Sequence, residues 1–241
     1  MQLLGLVLLA FVVWFGFAER DASTISAFDL HAAVMVLGGS LSAIMVSSSA
    51  KTTLRSFTAL REIVPGIGTL NKATVALEAE RIALVEHWRE GRRAQAVALA
   101  EQSRFPAIKR MLPLVLSRAP DEAVKSTFLE LEHETLGRWQ PAVGNWELLA
   151  KLAPSFGMVG TITGMIQLFQ SMGEDGSNLG ASISLALLAT LYGVAFGAGV
   201  AGPVGHFLRN LLDERLGALE RCAQSVHELV ARSSRDSLGG L

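Results

Sequence analysis

Four stretches of this chain contain no Asp, Glu, Lys or Arg: Met1–Ala18, Leu30–Ser49, Leu152–Met172 and Ala181–Gly205. Crossing a hydrocarbon core of about 30 Å takes roughly 20 helical residues at about 1.5 Å each, and all four runs are close to that length or beyond it. In a chain of 241 residues that is 50% hydrophobic and 18% charged, uncharged runs of this length decide the class. The expected fold is an all-α integral membrane protein with four transmembrane helices. A net charge of −1 gives no basic field for nucleic acid, and the single cysteine, Cys222, allows no internal disulfide or cysteine metal cluster.

Gly16-Phe17-Ala18 resembles a signal-peptide cleavage site, but Met1–Leu4 lack the positive charge such a leader carries, so the first run is expected to stay as a membrane helix. Charge placement sets the orientation. Of 21 Lys and Arg, 15 lie from Lys51 to Lys151 and 5 from Arg209 onward. The short loops Glu19–Asp29 and Gly173–Gly180 hold only Arg20 among basic residues, against five acids. Positive residues stay inside, which makes both termini and the long middle block cytoplasmic.

The domain reading is therefore helices 1 and 2 in residues 1–50, a helical cytoplasmic domain in 51–151, helices 3 and 4 in 152–207, and a cytoplasmic amphipathic helix with a loose tail in 208–241. Leu77, Leu84, Val85 and Trp88 share one helical face in the middle block, and Pro65, Pro106, Pro113, Pro120 and Pro141 are expected to divide it into helices of roughly 10 to 30 residues. After the fourth span, Leu208, Leu212, Leu216, Leu219, Ala223, Val226 and Val230 recur at helical spacing, so that helix is expected to continue and pack on the block.

Small residues at Ala189, Gly193, Gly197, Ala201 and Gly205 fall every fourth position, and Gly157, Gly160 and Gly164 repeat the device in the third span. Lipid tails give helices no hydrophobic reason to associate, so close backbone approach at small residues takes over that role. The stripe serves either packing within the chain or contact between subunits. Thr161 and Thr190 fall near mid-span of adjacent, oppositely running helices, where their hydroxyls can face one cavity. No span contains a carboxylate, although a cation crossing hydrocarbon needs compensating charge. Either the chain moves no ions, or a partner chain supplies the acid and this one forms the wall around it.

No phosphate-binding loop and no His-Glu-x-x-His sequence is present, and His31, His87, His133, His206 and His227 do not approach each other at ligand spacing. Glu130-Leu-Glu-His-Glu134 reads as a solvated acidic face. An enzyme, a bound metal and a cofactor are not expected.

The segments Leu152-Ala-Pro-Ser-Phe-Gly-Met-Val-Gly-Thr-Ile-Thr-Gly164, Gly180-Ala-Ser-Ile-Ser-Leu-Ala-Leu-Leu-Ala-Thr-Leu-Tyr-Gly193 and Gly202-Pro203 resemble the third and fourth membrane helices of the MotA/PomA flagellar stator subunits, in the superfamily of TolQ and ExbB. Val36-Leu-Gly-Gly-Ser40 resembles the glycine pair of their second helix. The resemblance implies an A-type subunit of an ion-driven stator in the bacterial inner membrane. Five such subunits would ring a single-span B-type partner whose aspartate binds H+ or Na+, and ion flow would turn a flagellar rotor.

By the same resemblance, Thr161 and Thr190 match pore-facing threonines, while Pro154 and Pro203 match prolines associated with coupling. The threonine at 161 resembles Na+ stators, where many H+ stators have alanine; TolQ and ExbB share it while using protons, so Na+ is favoured and H+ stays open. The family's rotor-engaging charges, a basic and an acidic residue eight apart, fall nearest to Arg93 and Glu101, with Arg89 and Arg92 beside them. Ala100 stands where Glu is expected and the glycine, Gly91, is displaced. That departure keeps open an energiser of the TolQ or ExbB kind, driving an envelope process other than flagellar rotation.

Overall fold

The computed structural model describes residues 30–64, 68–172 and 179–238, and these form helices with no strand among them. The helices are α1 (Leu30–Ser47), α2 (Ala50–Thr58), α3 (Leu70–Arg89), α4 (Arg93–Gln102), α5 (Pro106–Leu116), α6 (Asp121–Ser171), α7 (Leu179–Phe196) and α8 (Gly202–Leu238). A π turn at Val34–Gly38 widens α1, a second at Gly197–Ala201 joins α7 to α8, and a 3-10 turn, Ala59–Ile63, follows α2. Among the described residues three helical runs are long and apolar enough to cross a membrane: α1, α6, and α7 with its continuation. The first expected span, Met1–Ala18, lies outside the described residues, as do 19–29 and 173–178.

The chain divides into two compact units, one of residues up to Val64 plus Pro141–Leu208, the other of Pro65–Gln140 plus Arg209–Leu241. Residues 51–64 and 141–151, read from the sequence as the ends of the middle block, thus belong with the apolar spans. Hydrogen bonds explain why. Asn145 Nδ2 donates to Ser56 Oγ (2.9 Å), Trp146 Nε1 donates to the Ser56 carbonyl (2.8 Å), and both residues of α6 are buried. Deeper in this unit, Ala32 and Val36 of α1 pack on Ala153 of α6 and on Leu185, Leu188 and Ala189 of α7. Ser40 Oγ donates to the Val36 carbonyl (2.6 Å) beside the first π turn, the kind of side-chain insertion that loosens a helical ladder.

The second unit closes over one core. Leu77, Leu84, Val85 and Trp88 of α3 meet Ile108, Met111 and Val115 of α5, Val124 and Phe128 of α6, and Leu219, Cys222, Val226 and Leu229 of α8. The expected face of α3 is buried entire. On α8 the buried face is turned slightly from the expected one: Leu216, Ala223 and Val230 are only half-buried, while Ala218, Cys222 and Leu229 are enclosed. Glu78 holds α3 to α8 by accepting from Arg221 (3.0 Å); it also accepts from Arg81 of its own helix (2.8 Å), and that hydrogen bond keeps its carboxyl below the usual carboxylate range. Its contribution is therefore present at neutral pH and is lost as the pH falls through that depressed value.

Two expectations are corrected. Pro113 and Pro141 do not end helices but lie inside α5 and α6, and α6 runs for 51 residues. Each proline removes one donor, and the carbonyls so released belong to Lys109 and Gly137, which are exposed like the prolines and can bond water. The tail is also more ordered than expected, since α8 continues to Leu238; extending an existing helix needs no new nucleus.

Cys222 is wholly buried and burial pushes its thiol up to about 12. Because thiolate is the reactive form, the folded protein in detergent is expected to resist N-ethylmaleimide at pH 7 and to label at Cys222 on denaturation, which intact-mass spectrometry reads directly.

Candidate functional site

The apolar parts of α6 and α7 meet through residues with little or no side chain. A Cβ added to Gly157 would fall 2.9 Å from the Ala189 carbonyl oxygen and 3.3 Å from Thr190 Cα. One added to Gly160 would overlap the Ala189 methyl, and one at Gly164 would lie 2.8 Å from both the Ala186 methyl and the Ser182 carbonyl. From the α7 side, a Cβ on Gly193 would sit 2.6 Å from the Ala153 carbonyl and 3.0 Å from Gly157 Cα. These residues form one contact between α6 and α7 within the chain. Gly197 and Ala201, both buried, carry it into the π turn.

That close approach brings two hydroxyls together. Thr161 Oγ1 and Thr190 Oγ1 are 2.5 Å apart, Thr161 reaches the Gly157 carbonyl (3.1 Å) and the Ala186 carbonyl (3.4 Å), and Thr190 reaches the Ala186 carbonyl (3.2 Å). Two hydroxyl protons serve these contacts, so the cluster is richer in lone pairs than in donors. Thr161 is half-buried and Thr190 exposed, in a surface otherwise made of the exposed side chains of Met158, Met165, Ile183, Leu187 and Val194. Polar oxygens on an apolar face are costly against lipid and become useful against a cation, a carboxylic acid or water. No Asp or Glu occurs within the apolar stretches 30–49, 152–172 and 179–205 to meet them.

Pro154 and Pro203 mark the other end of the same seam. Pro154 stays within α6, and its missing N–H releases the Ala150 carbonyl, which faces Gly197: a Cβ there would lie 2.9 Å from that oxygen and 2.6 Å from Pro154 Cδ. Pro203 is the second residue of α8, one past Gly202, whose N–H closes the π turn by donating five residues back to the Gly197 carbonyl. One proline ring thus packs against the turn that precedes the other.

The candidate rotor charges lie in the second unit. Arg89 pairs with Glu228 of α8 (3.1 Å), Arg92 pairs with Glu90, and the Arg93 guanidinium lies 5.2 Å from the Trp88 ring centroid. All four candidates are exposed, with Arg93 and Glu101 near opposite ends of α4. Gly91, displaced from the family context, acts locally. Its φ of +75° ends α3, with the Arg92 N–H bonded to the His87 carbonyl (2.9 Å). His133 Nδ1 lies 2.8 Å from the Leu129 carbonyl, and among the described residues no three His, Cys, Asp or Glu side chains converge as metal ligands.

The apolar runs and the seam between α6 and α7 define an all-helical protein of membrane-spanning character. The chain belongs to the MotA/TolQ/ExbB proton channel family, whose pattern matches residues 100–221. It is 32% identical over 171 residues to Motility protein A of Borreliella burgdorferi, covering 69% of this chain and 62% of that one. With Motility protein A of Aquifex aeolicus it shares 42% identity over 71 residues, 30% of this chain and 28% of that one. The chain thus spans less than two thirds of the length of these curated relatives. Its fold is similar to that of the flagellar MotAB stator complex from Bacillus subtilis (TM-score 0.72, 19% identity) and of C. jejuni MotAB (TM-score 0.71, 16% identity), with 95% of this chain and 88% of the other covered in each.

The contact at Gly160 makes a paired prediction. Gly160→Ala is expected to destabilise the protein by roughly 1–3 kcal/mol through overpacking, and adding Ala189→Gly to recover most of the loss by vacating the overlapped methyl. Thermal unfolding in one detergent compares the two.

Proposed function

We propose that this chain is the A-type subunit of an ion-driven stator, working in the bacterial inner membrane with a single-span B-type partner. The observation that carries the reading is the Thr161–Thr190 hydroxyl pair on an apolar surface, in spans that hold no carboxylate. A wall of hydroxyls completes an ion path only when an acid is brought to it, and a partner's aspartate is the simplest source. Several copies, five by the family resemblance, would surround that partner with their hydroxyl faces inward. Ion passage at the acid would alternate its charge, and the ring would turn in response. Na+ is favoured over H+ because two hydroxyls and a nearby carbonyl suit a partly dehydrated cation.

Membership of the family and the likeness to proteins named Motility protein A support a flagellar rotor as the driven partner. Arg89, Arg92, Arg93 and Glu101 would meet it, with both chain termini cytoplasmic. Pro154 and Pro203 would transmit motion where the spans leave the bilayer. The alternative of an envelope energiser is favoured by one observation, Ala100 in place of the family's glutamate. Restoration of swimming in a stator-deleted strain decides for the flagellar reading, and assembly without swimming decides against it.

Thr190→Val is expected to cut ion-driven activity by roughly tenfold or more, the scale of one lost hydrogen bond to a charged group, and Pro203→Ala, which returns a backbone N–H beside the π turn, to lower it as well, while the oligomer persists on native gels. Purified chain without a partner is expected to leave liposomes tight to Na+ and H+. Normal activity in both variants, or a robust leak from the chain alone, overturns the reading.

A further inference from the structure

Helix α2 combines a fixed inner face with an outer face of mixed apolar and basic character. The first described span ends at Ser47; Ser48 is extended (φ −130°, ψ 149°), and Ser49 starts α2 by accepting the Thr52 N–H (3.3 Å). Only two residues separate the helices. Ser48 Oγ donates to Asn145 Oδ1 (2.7 Å), Asn145 and Trp146 hold Ser56, and the Phe57 and Trp146 rings meet edge to face at 5.9 Å. These bonds bury Ser56 and Ala59 and fix which way α2 faces.

Exposed along this segment are Lys51, Leu54, Arg55, Phe57 and Arg61, with Leu54 at 67% and Phe57 at 41%, the Phe57 ring keeping one edge on Trp146 of α6. The apolar surface of α1 runs up to this face through Leu41, Met45 and Val46, the last 89% exposed. A span that faces lipid there continues, two residues on, into a helix that offers lipid two more apolar side chains. From Lys51 to Val64 the segment carries Lys51, Arg55 and Arg61 against one acid, Glu62. Basic heads on apolar-bodied side chains beside Leu and Phe are the chemistry that seats a helix at a bilayer surface bearing negative charge.

We propose that α2 and the 3-10 turn after it form an interfacial segment that lies against the leaflet where the first described span ends and binds anionic phospholipid head groups through Lys51 and Arg55 of the helix and Arg61 of the turn, with Leu54 and the exposed edge of Phe57 entering the acyl boundary. The choice of the cytoplasmic leaflet rests on the orientation given under the proposed function; the lipid contact itself does not.

The test uses the full chain in nanodiscs of phosphatidylcholine, with or without phosphatidylglycerol. A polarity-sensitive dye on Leu54→Cys, with buried Cys222 left unlabelled, is expected to be quenched by lipids brominated near the top of the acyl chain and shielded from iodide. Replacing Lys51, Arg55 and Arg61 together by Gln is expected to lower the preference for phosphatidylglycerol over phosphatidylcholine about fivefold, read from the lipids retained in native mass spectra. Iodide quenching without bromolipid quenching overturns the proposal. So does an unchanged lipid preference in the triple variant, or cross-linking of Leu54→Cys between copies without bromolipid quenching. An impermeant thiol reagent applied outside sealed cells to Arg209→Cys judges orientation separately. Labelling there overturns the cytoplasmic placement while the dye still decides the lipid contact.

Discussion

The backbone contact between α6 and α7 is the constraint on which the rest of the spanning unit depends. Membrane helices gain no hydrophobic free energy by leaving lipid for each other, so their association rests on dispersion and short polar contacts, both of which fall off steeply with separation. Gly157, Gly160 and Gly164 let Ala186, Ala189 and Gly193 approach to the limit set by backbone atoms. At that separation Thr161 and Thr190 reach each other; with a side chain at Gly157, Thr190 Cα would be displaced and the hydroxyls would part. The chemistry of the seam is a consequence of what its residues lack.

The two units solve different solvation problems. In the second, a core of Leu, Val, Ile and Phe from α3, α5, α6 and α8 is closed by ordinary hydrophobic burial, and its Glu78–Arg81–Arg221 group sits at the edge where water still reaches. In the first, many large apolar side chains face outward, and the polar atoms are the ones that need protection. Asn145, Ser48, Ser56 and Trp146 satisfy one another. The threonine pair differs in setting two hydroxyls side by side at a partly exposed apolar surface.

Much of this was legible in the sequence, because the signals were periodic. Glycine and alanine every fourth residue located the seam, and Leu77, Leu84, Val85 and Trp88 located a core face, since each pattern maps onto one side of a helix whatever the tertiary structure. The threonine pair was legible from depth alone. What escaped depended on partners distant in the chain. Nothing near Ser56 announces that Asn145, 89 residues later, will hold it, so the company kept by the block ends was not legible. Pro113 and Pro141 were read as stops, although a helix held by packing on its other face carries an exposed proline when the freed carbonyl can bond water. Cys222 and Leu229 were missed because the tail's buried face is rotated from its most regular leucine repeat.

The π turn at Gly197–Ala201 reconciles two periods that do not match. An α-helix turns about 100° per residue, so residues spaced by four drift about 40° at each step, and the stripe from Ala189 to Gly205 would wind about 160° around a regular helix. One extra residue taken up in a widened turn removes about 100° of that drift. Ala189, Gly193, Gly197, Ala201 and Gly205 are all buried, and a Cβ on Gly205 would still lie 3.3 Å from Glu147 of α6. The irregular turn works as a phase corrector, keeping a four-residue rhythm of small side chains on the side facing one neighbouring helix.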